Sequence, residues 1–321
     1  MTEEVLISFE AQSRLRMIVN RTTELAPLKA VAIRAIALAD DERMAAMDLA
    51  AIISSDPALA AQLLGLYNSA YYGYARRITN VREAVIMLGM RTVRSVAISS
   101  AIIDAFRVPE IEGFDQDLFW AHSVCVGLVA EVIAREARTA RPEDAFTAGV
   151  LHDVGRLGMM LVEPQRFARV VELVHAQRLT YGEAELAVFG MCHEVVGARL
   201  AQRWNFPEQI FNSIYGPHPG HALGTVGSLG EVVAAADLAC NRAGLACGFD
   251  WTQVKSRQAV DALPPVAELA LGKVNGGLSM LEAKARLFLL HATSRVPRWY
   301  ATHPAVDELA EREAPRQRDV A

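Results

Sequence analysis

Residues 148–160 read AGVLHDVGRLGMM and place two adjacent ionisable residues, His152 and Asp153, in an otherwise apolar segment with helical character. Burying an unpaired charge is costly, so a buried His-Asp pair is expected to have a bonding partner or a metal ion. Imidazole suits borderline ions such as iron and zinc, and carboxylate suits hard divalent ions. The pair can serve one ion only if side chains from other helices complete the ligand shell.

Two other apolar segments supply candidates for that shell. His122 lies in FWAHS and Asp237 lies in VVAAADLAC, where a lone ionisable residue has little structural reason to be. His122, His152, Asp153 and Asp237 would form a four-ligand set for a divalent metal (Fe, Zn, Mn or Mg), with room for water or substrate. The alternative needs no metal: Asp153 would cap a helix or bond a neighbour, and His152 would be a satisfied core histidine.

The remaining chain has helical periodicity almost throughout and predicts an all-α fold, with no convincing set of alternating strands. Helix starts are indicated by N-cap and capping-box signals at Asp56-Pro57, Asn80 to Glu83, and Thr180 to Glu183. The predicted helices include 91–106, 117–138, one that begins at Pro142, one that runs from Thr180 to about Trp204, and 231–242. Gly89 is predicted to end a helix, and the glycine-rich segment 215–230 to be a loop.

Composition excludes several classes of protein. Of 321 residues, 52% are hydrophobic and 21% charged, which is too apolar for a chain disordered as a whole. The formal net charge of −5 disfavours nucleic acid as a partner. The N-terminus MTEEVLISFE lacks the basic start of a secretory signal, and no apolar run reaches the ~18 residues of a membrane span, so we expect a cytoplasmic protein. The cysteines are expected to be reduced and buried, and they are Cys125, Cys192, Cys240 and Cys247.

Several segments together resemble the HDOD domain, a regulatory branch of the HD-domain metal-dependent phosphohydrolase superfamily. They are IISSDPALAAQLLGLYNSAYYG, REAVIMLGMRTVRSVAISSAI, FWAHS, AGVLHDVGRLG and CHEVVGARLAQRWNFPEQIFNSI. The resemblance runs from about Thr22 to Arg242. It implies an all-α, two-lobed helical HDOD fold with an HD-like C-terminal lobe.

The resemblance also implies a domain organisation. An N-terminal extension covers 1–21, the HDOD domain 22–241, and a C-terminal helical extension with a frayed tail 242–321. Within the domain, an N-terminal helical lobe covers 22–108 and the HD-like lobe 114–241. The apolar spacing of VAELALGKV and SMLEAKARLFLLHA, beyond the resemblance, leaves open whether these segments cap the HD-like lobe or form a dimer contact.

The four ligand candidates fall where the superfamily's metal ligands fall. His193 falls where two-metal relatives place a further histidine, and it is either a ligand or proton shuttle or a packed histidine. Relatives often carry a His-His pair where this chain has Pro217-His218. The resemblance therefore does not imply a complete two-metal centre, although His218 stays a candidate ligand. Arg156, one turn beyond Asp153, is either a phosphate-binding residue or an ordinary exposed helix residue.

By this resemblance, the chain is expected to be a bacterial signalling protein that acts by protein or ligand binding. The implied partner is a response regulator or a cyclic dinucleotide enzyme, and a homodimer is a further option. The alternative function is a metal-dependent phosphohydrolase acting on a nucleotide or phosphodiester. Four arginines could form a basic patch for a nucleotide or partner, or only solvated helix faces; they are Arg76, Arg77, Arg91 and Arg94.

Overall fold

The structure is a computed structural model that describes residues 8–38, 42–177, 179–216, 226–245 and 262–294. Within these ranges all regular secondary structure is α-helical, which confirms the predicted all-α fold. In chain order the helices are Phe9–Leu25 (α1), Ala30–Ala37 (α2), Glu42–Ser54 (α3), Pro57–Tyr67 (α4), Val81–Leu88 (α5), Met90–Ala105 (α6), Gln116–Ala137 (α7), Pro142–Leu151 (α8), Val154–Val162 (α9), Pro164–Gln177 (α10), Tyr181–Phe189 (α11), His193–Arg203 (α12), Glu208–Tyr215 (α13), Leu229–Arg242 (α14), Pro265–Gly272 (α15) and Gly277–Ala292 (α16).

Several helix boundaries follow from the predicted local signals. The Asp56 carboxylate accepts hydrogen bonds from the backbone N–H groups of residues 58 and 59 at 3.0 and 3.1 Å, and so caps α4. Thr180 and Glu183 form a reciprocal capping box at the start of α11. Gly89, with a φ of 86°, lies between α5 and α6 and ends the first of them. These predicted boundaries are confirmed.

One predicted helix is wrong. The segment from Thr180 to about Trp204 forms two helices, α11 and α12, rather than one. Gly190 adopts the left-handed conformation with a φ of 75°, which ends α11 and turns the chain before α12 begins. The break makes His193 the first residue of α12.

The helices form two packed groups, which correspond to the predicted two lobes. Helices α2 to α6 pack against one another, whereas α8 and α14 pack on α7, and α12 packs on both α9 and α13. Helix α1 packs on α9 and α12 in the second group. The limits predicted for the domain and its lobes stay predictions, and the one at residue 22 falls inside α1.

Helix α7 is the central helix of the second group. It has 22 residues and contains an 18-residue window with a mean hydropathy of 1.5, so it is long and apolar enough to cross a membrane. This corrects the expectation that no such segment exists. In the structure 78% of its apolar window is buried inside the protein. Two bent helix pairs, α3 with α4 and α5 with α6, pass the same test only if each pair is counted as one span.

The C-terminal helices pack onto this core. Helices α15 and α16 both pack against α7, and α16 also packs against α4. The ring of Phe288 on α16 lies 5.9 Å from that of Tyr71 and 5.7 Å from that of Phe146, centroid to centroid. Of the two alternatives for this segment, the structure therefore shows capping of the HD-like lobe, while a dimer contact stays a prediction.

Two glycine contacts bring helices α7 and α12 close to the turn between α8 and α9. A Cβ atom on Gly149 of α8 would lie 2.6 Å from the Cα of Gly127 on α7. A Cβ atom on Gly155 of α9 would overlap the carbonyl oxygen of His193 on α12. Only glycine permits backbones to approach this closely, so both contacts fix the turn in place.

We expect Gly155→Ala to destabilise the protein by about 1–3 kcal/mol, because the added methyl group forces α9 away from α12. The matched control is Gly182→Ala in α11, where an added Cβ meets nothing within 4 Å. That control should be neutral or stabilising by about 0.5–1 kcal/mol, since alanine favours the helix. Urea unfolding of both variants measures the difference, and equal stabilities would contradict the proposed packing constraint.

Candidate metal centre

The predicted pair His152-Asp153 lies in a turn rather than inside a helix. Helix α8 ends at Leu151, and α9 begins at Val154. His152 keeps helical backbone angles and Asp153 occupies the N-cap position of α9. Both side chains are buried, with 1% and 3% of the residue exposed. The turn lets two neighbouring side chains reach different partners.

His152 meets two of the predicted ligands, which come from different helices. His122 in the middle of α7 places its Nε2 atom 3.1 Å from Oδ1 of Asp237 on α14. The Nε2 atom of His152 lies 3.7 Å from the same oxygen. One ligand atom from each residue lies within 4.8 Å of the others, and all three residues are buried. We call His122, His152 and Asp237 the metal group.

The two imidazoles in the metal group are oriented by backbone carbonyl oxygens. Nδ1 of His122 lies 3.2 Å from the carbonyl oxygen of Leu245, and Nδ1 of His152 lies 2.8 Å from that of Gly149. Because a carbonyl oxygen can only accept, both Nδ1 atoms carry the proton. In the neutral imidazoles the Nε2 lone pairs then point towards Asp237, whose carboxylate is also an acceptor.

Facing acceptors repel unless a positive charge lies between them. His122 and Asp237 therefore require either a second proton on the imidazole or a bound cation. Burial by itself raises the pKa of the Asp237 carboxyl, but the hydrogen bond from His122 and the nearby His152 lower it below its usual value. Asn241 also donates to Asp237 Oδ1 at 2.9 Å. Two imidazoles and one ionised carboxylate thus fit a divalent cation.

Asp153, the fourth predicted ligand, has different partners. Its Oδ2 atom accepts a hydrogen bond from a terminal nitrogen of Arg156. Its Oδ1 atom lies 2.9 Å from Nε2 of His193. The distance from Oδ2 to Nε2 of His152 is 3.6 Å, so Asp153 borders the metal group while two cationic side chains hold it.

Arg156 is not an ordinary exposed helix residue, which was one of the two alternatives for it. Only 8% of it is exposed, and its Nε atom donates to Oε1 of Glu185 at 2.9 Å. Its guanidinium also lies over the ring of Tyr181, 5.6 Å from the centroid. The guanidinium therefore bridges two carboxylates, those of Asp153 and Glu185.

Glu185 is the functional residue that sequence reasoning missed. It is fully buried on α11, and its Oε2 atom accepts from the backbone N–H of His193 at 3.0 Å and from Nδ1 of the same residue at 2.6 Å. The signal was present as a lone acid in the apolar stretch AELAVF. We call Asp153, Arg156, Glu185 and His193 the charge quartet.

The charge quartet carries two positive and two negative charges. Burial and Arg156 by themselves lower the pKa of His193, but Glu185, Glu194 and Asp153 together raise it to about 10. Burial raises the pKa of Glu185, but His193 and Arg156 outweigh it and lower the value to about 2. The pKa of Asp153 is likewise held well below its usual value, against the effect of burial, mainly by Arg156. At neutral pH the quartet is therefore ionised and electrically balanced.

A second set of potential metal ligands lies within the described residues. Glu185, His193 and Glu194 also bring one ligand atom each within 4.8 Å of the others. Because His193 is protonated at neutral pH by the argument above, this second group lacks a free imidazole lone pair. His218 lies outside the described residues, so its predicted place in the site stays a prediction.

The raised pKa of His193 predicts a pH-dependent stability. Its charge contributes fully below the ordinary pKa of 6.5, and the contribution is lost as pH rises towards 10. We expect the free energy of unfolding to fall over this window, and His193→Gln to remove that part of the slope while costing about 3–5 kcal/mol. Urea titrations at several pH values test this, with His175→Gln on α10 as the control. An unchanged slope in His193→Gln would refute the assigned charge.

Comparisons with known proteins agree with this architecture. The family model of the HDOD domain matches residues 25–219. A crystal structure of an HDOD domain protein with unknown function from Geobacter sulfurreducens is 27% identical, with a TM-score of 0.63, covering 93% of this chain and 98% of that one. A protein from Shewanella amazonensis SB2B, provisionally named a phosphohydrolase, is 26% identical with a TM-score of 0.59, covering 86% and 94% of the two chains.

A curated protein of Treponema pallidum (strain Nichols), itself uncharacterised, is 29% identical over 168 residues. The match covers 52% of this chain and 32% of that protein, so the chain spans about a third of the length of this relative.

Proposed function

Since the chain belongs to the HDOD family, we propose that it is a regulatory binding protein that holds one divalent cation in the metal group. In this proposal it acts by binding a signalling protein, a response regulator or a cyclic dinucleotide enzyme, rather than by turning over a substrate. The observation that carries the proposal is the placement of Asp153, whose two carboxylate oxygens face Arg156 and His193.

A second metal ion would have to displace this arrangement. A protonated imidazole has no lone pair to give, and the buried guanidinium of Arg156 repels a cation beside Asp153. Removing one partner from a buried ion pair costs about 3–5 kcal/mol, which an incoming ion would have to offset. The charge quartet therefore favours a single-ion site formed by His122, His152 and Asp237.

The side chains of the metal group are suited to bind that single ion. When bound, a divalent ion would act as a Lewis acid and would neutralise Asp237. His122, His152 and Asp237 belong to α7, the end of α8, and α14, so the ligands would tie three helices together. Two imidazoles with one carboxylate favour iron or zinc over manganese or magnesium among the predicted metals.

A phosphohydrolase is the second candidate. It is favoured by the similarity to the Shewanella protein and by a three-ligand group that leaves open coordination positions. The position of Arg156 counts against it, since a guanidinium that bridges two carboxylates is not available to hold a phosphate as the sequence suggested.

We expect about one equivalent of transition metal per chain in the purified, untagged protein, measured by plasma mass spectrometry. His152→Ala and Asp237→Asn should lose it because each removes a ligand. His175→Ala on α10 is the matched control and should keep the metal. Asp153→Asn should also keep most of it, provided circular dichroism shows a folded protein.

Two results would contradict this assignment. The first is metal loss in folded Asp153→Asn as complete as in Asp237→Asn, which would restore the four-ligand set. The second is hydrolysis of bis(p-nitrophenyl) phosphate by the metal-loaded protein that Asp237→Asn abolishes. That second result would establish the phosphohydrolase instead.

The partner class is tested separately. We expect the full chain to bind a purified response regulator or cyclic dinucleotide enzyme with a dissociation constant of about micromolar or below, because protein interfaces of ordinary size span micromolar to picomolar affinities. Titration calorimetry against a panel of both kinds, taken from one bacterial genome that encodes an HDOD protein of this kind, measures it. Binding to no member of either kind would remove the partner from the proposal and leave the metal site standing.

A further inference from the structure

Helix α14 ends in a turn that contacts the metal group at two points. The backbone carbonyl oxygen of Leu245 lies 3.2 Å from Nδ1 of His122. The side-chain amide of Asn241 donates a hydrogen bond to Oδ1 of Asp237 at 2.9 Å. Neither Asn241 nor Leu245 is itself a member of the metal group. We call residues 241–245, the end of α14 and the residues that follow it, the α14 turn.

Backbone hydrogen bonds fix the shape of the α14 turn. Gly244 has a φ of 77°, in the left-handed region, and its N–H donates to the carbonyl oxygen of Asn241 at 3.0 Å. The N–H of Leu245 donates to the carbonyl oxygen of Cys240 at 3.1 Å. This pair of bonds forms a Schellman motif, in which a glycine with positive φ closes the C-terminal end of a helix. The position of the Leu245 carbonyl group therefore depends on the backbone conformation of Gly244.

The imidazole of His122 is held at both nitrogens by one continuous segment of the chain, residues 237–245. Its Nε2 atom lies 3.1 Å from Oδ1 of Asp237 at one end of that segment, and its Nδ1 atom faces the carbonyl oxygen of Leu245 at the other. A histidine ligand depends on the hydrogen bond of its other ring nitrogen, which fixes the tautomer and the ring orientation. Loss of the Leu245 contact would free the ring to turn its Nε2 lone pair away from the cation.

Asn241 acts on the carboxylate ligand from the same helix. Asp237 and Asn241 are four residues apart on α14, so their side chains lie on one face. The amide donates to the oxygen atom that also faces Nε2 of His122 at 3.1 Å and Nε2 of His152 at 3.7 Å. The hydrogen bond therefore holds the carboxylate in the orientation that a shared cation needs. Removing a hydrogen-bond partner of a metal ligand typically lowers metal affinity by roughly 10–100-fold.

The α14 turn lies at the surface, although the group that it holds is buried. Arg242, Ala243 and Gly244 are exposed, whereas only 3% of His122 and 7% of Asp237 are exposed. Among the described residues, a Cβ atom on Gly244 would meet nothing within 4 Å. A substitution at Gly244 therefore changes the preferred backbone conformation without a clash in the core.

We propose that the α14 turn is the positioning element of the metal group. Asn241 positions the Asp237 carboxylate, and it does so without binding the ion. The Leu245 carbonyl group positions the His122 ring in the same way. The metal affinity of the buried group thereby depends on a surface turn that requires a residue tolerant of positive φ at position 244. The inference rests on the proposed function for the cation and deepens it by naming the element that sets the affinity of the site.

Competition between the full chain and a chromophoric chelator for Zn²⁺ measures this affinity. We expect Gly244→Val to weaken zinc binding about tenfold or more, because a β-branched residue is disfavoured at positive φ and the Leu245 carbonyl group shifts. Gly244→Asn should bind zinc nearly as tightly as the parent, since asparagine tolerates this conformation. Asn241→Leu removes the amide donor at similar size and should also weaken binding about tenfold or more.

Two control variants make the same chemical changes away from the metal group. Gly73→Val, in the segment after α4, also places valine at a positive φ, 65°, and an added Cβ there lies 3.8 Å from the carbonyl oxygen of Ala70, an ordinary contact. Asn212→Leu removes an exposed asparagine from α13. Both should bind zinc like the parent. Urea unfolding of the metal-free proteins shows how much stability each variant has lost.

A second readout does not require a metal ion. In the metal-free parent the Nδ1 proton of His122 is buried and hydrogen-bonded, so its NMR signal should exchange slowly with solvent. The signal is assigned by its absence in His122→Gln. Gly244→Val should speed the exchange or remove the signal, whereas Gly73→Val should leave it unchanged. Gly244→Ala, which introduces less strain, takes the place of the valine variant if that variant does not fold.

Three outcomes would overturn the inference. They are parent-like zinc affinity in folded Gly244→Val and Asn241→Leu, equal weakening by Gly73→Val, and an unchanged His122 signal in folded Gly244→Val. Absence of zinc binding in the parent itself would refute the metal assignment under the proposed function. In that case the His122 signal alone decides this inference, because the contact between Leu245 and the ring does not depend on a cation.

Discussion

The contact between α9 and α12 at Gly155 is the constraint on which the candidate site depends. The backbone of α9 reaches the carbonyl oxygen of His193 because Gly155 has no side chain, and this contact sets the imidazole beside Asp153. On the other side of the turn, Gly149 and Gly127 bring the backbones of α8 and α7 into close contact. The turn between α8 and α9 is thus held from two directions, and its two side chains are directed to different partners.

This placement divides the buried charges into two groups with different requirements. In the charge quartet every charge has at least one opposite partner, so the desolvation cost is offset without an added ion. The metal group has one carboxylate and two imidazoles whose proton-bearing nitrogens face backbone carbonyl oxygens. It remains short of positive charge at Asp237 unless a proton or a cation is added. The turn therefore separates the charge quartet, whose charges balance one another, from the metal group, which requires a cation.

The sequence predicted the helical fold because its signals are local: N-caps, capping boxes and apolar stripes depend on residues within one or two turns. It also brought His122, His152 and Asp237 to notice, since a lone ionisable residue in an apolar helix is conspicuous. It could not show that Asp153 is held by Arg156, because that depends on which way two adjacent side chains leave a turn. The turn itself was hidden, since AGVLHDVGRLGMM has no proline or helix-ending signal at the break.

Dependence on helix packing also explains why the sequence did not predict two other contacts. Glu185 is a lone acid in an apolar stretch, but its partner His193 comes within reach only because the chain turns at Gly190. Likewise Arg91 and Arg141 are fifty residues apart in sequence, and only the packing of α6 on α8 places them around one cavity. Where a contact depends on how helices pack, a sequence pattern can identify candidate residues but cannot show which of them are in contact.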